Sequence, residues 1–232
     1  GVVRVTNAHP AGVYPVTVKT TGPGGASVNT FDLTVTSGTA CGTITFTNAA
    51  DVSAGSAPIS AAVSDFNGDG KQDIAVVNNI ASGTVSIRLG DGLGGFSGTS
   101  NVAVGTTPYS IALGDFNNDG KEDIAVANNA TPGSVSIRLG NGDGTFSGTT
   151  DVSVGNNTWA VAVGDFNNDG NRDIASANDG SNTVSIRLGN GNGTFSGSTE
   201  VSVGSQPRAV AVGDFNNDGN QDIAAANIVS DT

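Results

Sequence analysis

The sequence predicts an all-β protein built from tandem four-stranded blades of the propeller type. A nine-residue phrase, Asp-Phe-Asn-x-Asp-Gly-x-x-Asp, begins at Asp65, Asp115, Asp165 and Asp214, at intervals of 50, 50 and 49 residues. Short apolar runs follow each copy, and glycine-rich reversals separate the runs. Because four strands in about 50 residues make one propeller blade, each interval is interpreted as one blade.

One unit illustrates the strand order that we expect in all of them. Its first strand is expected at residues 96–105 and its second at residues 110–116. A third strand is expected at residues 123–128, after the nine-residue phrase. The fourth, at residues 133–139, alternates apolar and polar side chains with period two. The glycine-rich turn at residues 140–145 then leads into the next unit.

The repeat region is predicted to span residues 41–232, with units starting near residues 46, 96, 146 and 195. Three units are complete, and the fourth lacks a strand equivalent to residues 183–188. An incomplete blade leaves unpaired backbone groups at its edge, which favours pairing with another chain. Two interpretations stay open: a piece of a longer protein, which is the simpler one, or a subunit completed by strands of neighbouring copies.

Residues 1–40 differ from the repeats. Two strands at residues 13–19 and 28–35 flank a Gly-Pro-Gly-Gly turn and look like the final hairpin of an immunoglobulin-like surface module. Forty residues are too few for a whole sandwich of about 100 residues, so we expect a partial immunoglobulin-like segment. Residues 37–42 are expected to be the linker. Cys41 has no second cysteine to pair with, so we expect it to be either buried, which is the simpler interpretation, or available for an intermolecular bond.

The nine-residue phrase has the donor pattern of a calcium loop. Oxygen-bearing side chains occupy positions 1, 3, 5 and 9, and glycine occupies position 6, where the chain must turn sharply. Position 7 would contribute its backbone carbonyl. A metal-free polar turn is the alternative, because Asp, Asn and Gly favour turns, but a turn does not need the oxygen at position 9. The glutamate at position 12 and the helices of an EF-hand are both missing.

Two segments together carry a family resemblance: Asp115-Phe-Asn-Asn-Asp-Gly-Lys-Glu-Asp-Ile124 and Leu139-Gly-Asn-Gly-Asp-Gly-Thr-Phe146. They resemble the FG-GAP/VCBS repeats of bacterial surface and secreted proteins and are similar to the calcium-binding blades of integrin α-subunit propellers. The resemblance covers about residues 43–232. It implies a β-propeller with calcium in the loop that joins the first two strands of each blade. Such propellers usually have seven blades, whereas this chain offers fewer than four.

The resemblance implies about four bound Ca²⁺ ions, one in each loop. Each ion would take four side chains and, at position 7, one backbone carbonyl. The implied ligands are Asp65, Asn67, Asp69, Lys71 and Asp73; Asp115, Asn117, Asp119, Lys121 and Asp123; Asp165, Asn167, Asp169, Asn171 and Asp173; and Asp214, Asn216, Asp218, Asn220 and Asp222.

Two further positions recur. The residue six places before each loop varies, being Ile59, Tyr109, Trp159 or Arg208. We expect either that Tyr109, Trp159 and Arg208 contact a sugar ring or a partner chain, or that packing differs from blade to blade. Arginines at one point of the last strand of each complete unit are expected to pair with loop carboxylates of an adjacent unit: Arg88, Arg138 and Arg187.

Charge and composition narrow the function classes. The net charge is −12, but 12 of the 21 acidic residues are aspartates at predicted ligand positions of the four loops, so four Ca²⁺ would leave about −4. The chain has no basic patch for nucleic acid and no 18-residue apolar stretch for membrane insertion. With one His and no nucleophile paired with a base, we expect no enzyme.

The sequence therefore predicts a non-catalytic, calcium-stabilised β-repeat protein outside the cell or on its surface. It would serve adhesion or assembly into a surface fibre, with other copies of itself or neighbouring modules as partners. One alternative is a lectin-like propeller that binds surface glycans. Another is a passive spacer segment of a giant adhesin.

Overall fold

The computed structural model describes residues 12–22, 25–35 and 51–229 and divides the chain into two units, Gly1–Ala49 and Ala50–Thr232. In the first unit, β1 (Gly12–Gly22) pairs with β2 (Gly25–Val35) in an antiparallel hairpin, as the sequence predicts. Its immunoglobulin-like character stays a prediction. The predicted linker and Cys41 lie outside the described residues.

The second unit consists of antiparallel sheets arranged in tandem, which confirms the predicted fold class. Three sheets have four strands each and are named blades 1 to 3, and a two-stranded sheet is blade 4. Among the described residues, no strand of blade 4 pairs with blade 1, so the array is open. No helix in this part of the chain is long and apolar enough to span a membrane.

The strands follow one another in space in the order of the sequence. Blade 1 contains β3 (Pro58–Ser64), β4 (Asp73–Asn78), β5 (Thr84–Gly90) and β6 (Phe96–Ala103). Blade 2 contains β7 (Pro108–Gly114), β8 (Asp123–Asn128), β9 (Ser134–Gly140) and β10 (Phe146–Ser153). Blade 3 contains β11 (Thr158–Gly164), β12 (Asp173–Asn178), β13 (Thr183–Gly189) and β14 (Phe195–Ser202), and blade 4 contains β15 (Pro207–Gly213) and β16 (Asp222–Asn227).

The sheets are out of phase with the sequence units by one strand. The strand that starts at Phe96 is predicted to be the first strand of a sequence unit, but it is the fourth strand of blade 1. Likewise, the strands that start at Phe146 and Phe195 are the fourth strands of blades 2 and 3. The nine-residue phrase therefore joins the first two strands of each blade, as the family resemblance implies. The strand expected near residue 46 lies outside the described residues.

The hydrophobic core lies between blades. The second strand of blade 2 alternates: Ile124 and Val126 pack with residues of blade 1, whereas Ala125 and Ala127 pack with residues of blade 3. This period-two division explains why the interior of this strand, residues 124–127, is apolar at every position, since both of its faces are covered. Edge-to-face phenylalanine pairs join neighbouring blades, with ring centroids 5.7 Å apart for Phe66 and Phe146 and for Phe116 and Phe195.

The recurring arginines link the outer strands of neighbouring blades. Arg138 donates from Nε to the carbonyl of Ala103, at the end of blade 1, at 2.8 Å. Its Nη1 donates to the carbonyl of Thr150, in the fourth strand of its own blade, at 3.0 Å. The ion pairs formed by Arg138 and Arg187 are with Asp151 and Glu200.

The prediction that these arginines pair with loop carboxylates of an adjacent unit is wrong. Asp151 and Glu200 belong to the fourth strand of the arginine's own blade. Arg88 likewise donates to a backbone carbonyl, that of Ser53, at 2.8 Å. The reason is topological: the fourth strand, which the sequence units assign to the following repeat, lies directly beside the third strand and offers the nearest acceptors.

At the junctions from blade 1 to 2 and from blade 2 to 3, a glycine packs against a buried asparagine. Asn128 is fully buried and donates to the hydroxyls of Ser134 and Ser136. Gly105 donates its N–H to Ser136 at 3.0 Å, and a Cβ at Gly105 would lie 2.5 Å from the Asn128 side chain. The hydrogen-bonded asparagine cannot move aside, so only glycine fits here.

We expect Gly105→Ala to lower the free energy of unfolding by about 1–3 kcal/mol, because the added methyl overpacks the junction. Thermal unfolding at a fixed calcium concentration measures the effect. Gly213→Ala is the matched control, since its Cβ would approach only the exposed ring of Phe215, at 3.2 Å. Equal shifts for the two variants would contradict the explanation.

Candidate metal centres

Each copy of the nine-residue phrase forms a loop between the first two strands of a blade. Loops 1 to 4 are residues 65–73, 115–123, 165–173 and 214–222. The glycine at position 6 has a φ of +81°, +79°, +85° and +86° in loops 1 to 4. The residue at position 4 also has a left-handed backbone conformation; it is Gly68 in loop 1 and asparagine in the other three loops. Glycine and asparagine adopt this conformation most readily, so one backbone path is repeated four times.

The aspartate at position 1 lies where the loop turns around it. In loop 1, Asp65 Oδ1 accepts from the N–H of Asp69 at 3.1 Å, and Oδ2 accepts from the N–H of Gly70 at 2.7 Å. Both bonds recur in the other three loops. The chain between positions 1 and 6 is therefore wound around one carboxylate.

The side chains at positions 3 and 5 contact each other. In loop 1, Asn67 donates from Nδ2 to Asp69 Oδ2 at 3.3 Å and accepts the N–H of Asp69 on Oδ1 at 3.0 Å. Asp69 Oδ1 accepts the N–H of Lys71 at 2.9 Å, and equivalent bonds occur in the other loops. Positions 1, 3 and 5 are thus brought together by local hydrogen bonds.

The aspartate at position 9 attaches the loop to the blade. Asp123 is fully buried, and its Oδ2 accepts from the N–H of Phe116, at position 2, at 2.8 Å. Its Oδ1 accepts from the N–H of Gly140, at the end of the third strand, at 2.8 Å. The same pair of bonds is made in loops 1 and 3. Among the described residues, Asp222 makes the first of these bonds, with Phe215, at 3.0 Å.

Electrostatics differ between the buried and exposed carboxylates of a loop. Burial raises the pKa of Asp123 to about 6; its two backbone donors oppose this, and the negative charges of Asp119 and Asp115 add to it. Burial raises the pKa of Asp173 for the same reason. By contrast, a hydrogen bond from the N–H at position 7 lowers the pKa of Asp69. Asp123 and Asp173 therefore each face other negative groups.

The donor chemistry fits a hard divalent cation. The predicted ligands are carboxylate, amide and carbonyl oxygens, which calcium prefers, and a carboxylate oxygen that accepts one N–H keeps further acceptor capacity. Among the described residues, no three His, Cys, Asp or Glu side chains lie close enough together to hold a metal by themselves. Ammonium groups lie near position 5 in loops 1 and 2: Lys71 Nζ is 3.3 Å from Asp69, and Lys121 Nζ is 3.7 Å from Asp119. The ligand set stays a prediction.

The variable position six residues before each loop is a β-bulge. In blade 3, Thr158 pairs with Asn178 and Ala160 with Ala177, so Trp159 is an extra residue without a partner in the ladder. Ile59, Tyr109 and Arg208 hold the same place in the other blades. Sequence reasoning missed the bulge, because one extra residue in a strand leaves no local compositional signal.

The bulged residues of neighbouring blades pack on one another. The rings of Tyr109 and Trp159 have centroids 4.3 Å apart, and the guanidinium of Arg208 lies 3.9 Å from the Trp159 ring. Arg208 is held by Asp179, whose Oδ2 accepts from Nε at 3.0 Å. Trp159 thus lies between two neighbours. This geometry supports the packing interpretation and does not favour a sugar ring stacked on Trp159.

Comparison with known proteins assigns the repeats to a family. The FG-GAP-like repeat family matches residues 65–126, 115–176 and 165–225, and each match runs from the start of one loop through the next loop. No curated protein sequence matches the chain. The crystal structure of the V. cholerae biofilm matrix protein Bap1 is similar, with 23% sequence identity and a TM-score of 0.44. The match covers 74% of this chain and 28% of that one.

In calcium-free protein we expect Asp123 to titrate near pH 6, well above its ordinary value of 3.8. Since the pKa is higher in the folded state, this group contributes stability below about pH 4 that is lost as the pH rises through about 6. A bound cation would favour the carboxylate and lower the pKa. Carboxyl ¹³C NMR titration in EDTA and in calcium measures both values. An Asp123 pKa at or below the ordinary value in EDTA would contradict this account.

Proposed function

The chain belongs to the FG-GAP-like repeat family, and from this premise we propose that it is a non-catalytic, calcium-stabilised structural protein outside the cell or on its surface. Its repeats would serve adhesion or assembly into a fibre. One observation carries the proposal: four loops follow the same path and present the same oxygen donors at the same positions.

Calcium is the cation that these loops suit best. They offer oxygen donors only, on a flexible loop that closes on itself through glycine, as calcium loops do. A divalent ion would also offset the repulsion between the buried carboxylate at position 9 and the carboxylates at positions 1 and 5. Loops of this kind in extracellular modules bind calcium with dissociation constants on the order of 10⁻⁴–10⁻³ M, which suits the millimolar calcium outside cells.

A structural role agrees with the residues available. The single His and the single Cys of the chain, His9 and Cys41, lie outside the described residues. The described carboxylates at positions 1, 5 and 9 are held by backbone N–H groups. Ser185 donates its hydroxyl to Glu200 at 2.7 Å, but Glu200 is also held by Arg187 at 2.6 Å as part of the blade's structure. We therefore propose that the repeats bind and assemble rather than catalyse.

Blade 4 supplies the surface for assembly. Phe215, at position 2 of loop 4, is 59% exposed, whereas its equivalent Phe116 is 1% exposed. In blade 3 the second strand pairs along its outer edge with the third, from Ile174 opposite Arg187 to Asn178 opposite Thr183. In the described residues, the ladder of blade 4 consists of β15 and β16. We propose that a strand of the third-strand type adds to β16, whether it comes from the same chain, a neighbouring module or another copy.

Calcium removal is expected to lower the melting temperature by about 3–20 °C. At about 1 mM calcium and the dissociation constants given above, each of four ions would contribute about 0.4–1.4 kcal/mol. Calorimetry with and without EDTA measures the shift, and isothermal titration counts the ions. Asp165→Ala should remove one ion. The matched control is Asp143→Ala, which deletes an exposed carboxylate in a hairpin and should remove none. Unchanged melting in excess EDTA would refute structural calcium.

A peptide with the sequence of residues 183–202, the last two strands of blade 3, is expected to bind blade 4. In blade 3, the N–H of Gly189 donates to the carboxylate of Asp173 at 2.7 Å. In the complex, the N–H of the peptide's Gly189 would donate to the carboxylate of Asp222 instead. Hydrogen exchange should show new protection at residues 222–227. A control peptide with Val184 and Ile186 replaced by Asp should not bind. Failure of the first peptide to protect this strand would exclude strand completion at blade 4.

A further inference from the structure

Hydrogen-bonded amide pairs connect the cation loops of neighbouring blades. Asn118, at position 4 of loop 2, donates from Nδ2 to Oδ1 of Asn171, at position 7 of loop 3, at 2.8 Å. Asn168, at position 4 of loop 3, donates in the same way to Asn220, at position 7 of loop 4, at 2.8 Å. We propose that these two amide bridges make calcium binding by loops 2, 3 and 4 cooperative, an inference that rests on the proposed function of the loops as calcium sites.

Both ends of a bridge belong to the residues that shape a loop. Asn118 lies between the proposed ligands Asn117 and Asp119 and has a left-handed φ of +58°, which the winding of the loop requires. Asn171 is the residue whose carbonyl would bind the ion, and its N–H already donates to Asp169 at 2.8 Å. An ion that orders loop 3 therefore fixes one end of the bridge, and the bridge restrains the loop 2 residue between two ligands.

The surroundings hold the bridges in place. Gly191, in the hairpin of blade 3, packs against the Asn118–Asn171 pair so closely that a Cβ would collide with both side chains. The same hairpin donates the N–H of Gly193 to the carbonyl of Phe116, in loop 2, at 2.9 Å. Loops 3 and 4 have a second link, from the N–H of Asp165 to Gln221 Oε1 at 2.6 Å.

The junction between loops 1 and 2 lacks the amide bridge. Position 4 of loop 1 is Gly68, which has no side chain, and position 7 of loop 2 is Lys121, which extends toward Asp119. The backbone link is still present, because Gly144 donates to the carbonyl of Phe66 at 2.9 Å. The junction between loops 2 and 3 adds the amide bridge and an electrostatic attraction between Glu122 and Arg172. Substitution of the bridge asparagine alone therefore isolates the contribution of the bridge.

Thermodynamic linkage gives the size and symmetry of the effect. If calcium in loop 3 reduces the ordering that loop 2 must undergo on binding, then calcium in loop 2 assists loop 3 by the same factor. The amides are partly or fully exposed to solvent, which weakens a hydrogen bond between them. We expect that calcium bound in one bridged loop raises the calcium affinity of the other loop by a factor of about two to five.

The test is a double-mutant cycle followed by site-resolved NMR titration with calcium, using the N–H of Gly120 and Gly170 as reporters of loops 2 and 3. Asp169→Ala disables loop 3 and is expected to weaken calcium binding at loop 2 by about two- to fivefold. Asn118→Gly removes the bridge but keeps a residue that tolerates positive φ, and so copies loop 1. In the Asn118→Gly background, Asp169→Ala should leave loop 2 unaffected.

Loop 1 provides the matched control. Asp119→Ala disables loop 2, and we expect no change at loop 1, since no amide bridge joins them. Cooperativity through the bridge is refuted if Asp169→Ala leaves loop 2 unchanged in the otherwise native chain, or if its effect persists after Asn118→Gly. Loops that bind calcium independently would overturn this inference alone, whereas loops that bind no calcium would overturn the proposed function as well.

Discussion

The structure depends on one buried carboxylate in each complete blade, at position 9 of the cation loop. Asp73, Asp123 and Asp173 are fully buried, and each accepts one N–H from the start of its loop and one from the end of the third strand. A single side chain thus holds the loop to the second and third strands. A buried charge is costly unless it is compensated, and two backbone donors compensate it only in part. The residue that closes the blade is therefore also the one that a bound cation would stabilise most.

The blades are thin, so their stability comes from contacts between neighbours. Each hydrophobic cluster is shared by two blades, and its members are mostly Val, Ile and Ala. Polar groups complete the junctions: the arginines reach the carbonyls of the preceding blade, and the glycines lie against buried asparagines. Within the described residues, blade 4 has a neighbouring blade on one side, and Phe215 is exposed on the other. An array of this kind gains stability by adding neighbours, as other repeat proteins do.

Local features could be predicted from the sequence, but the partners of distant residues could not. The strand at residues 123–128 and the loop before it follow from period-two patterning and from glycine at position 6, both of which are local. The assignment of the Phe96 strand to blade 1 depends on hydrogen bonds to β5, which an alternating pattern does not specify. The partners of Arg138 follow from that assignment, so both predictions failed together. The bulge at Trp159 depends on the neighbouring blade, and repeat comparison showed only that the position varies.

The four loops are constant where side chains would bind the ion and variable where they meet one another. Positions 1, 3, 5 and 9 are the same in every loop, whereas position 4 is Gly or Asn and position 7 is Lys or Asn. Position 7 would bind through its carbonyl, so its side chain is free to differ without changing the donor set. Where asparagines occupy both positions, the loops are bridged, and where glycine and lysine occupy them, the bridge is missing. Constant positions thus specify each site, and the variable positions determine which sites are connected.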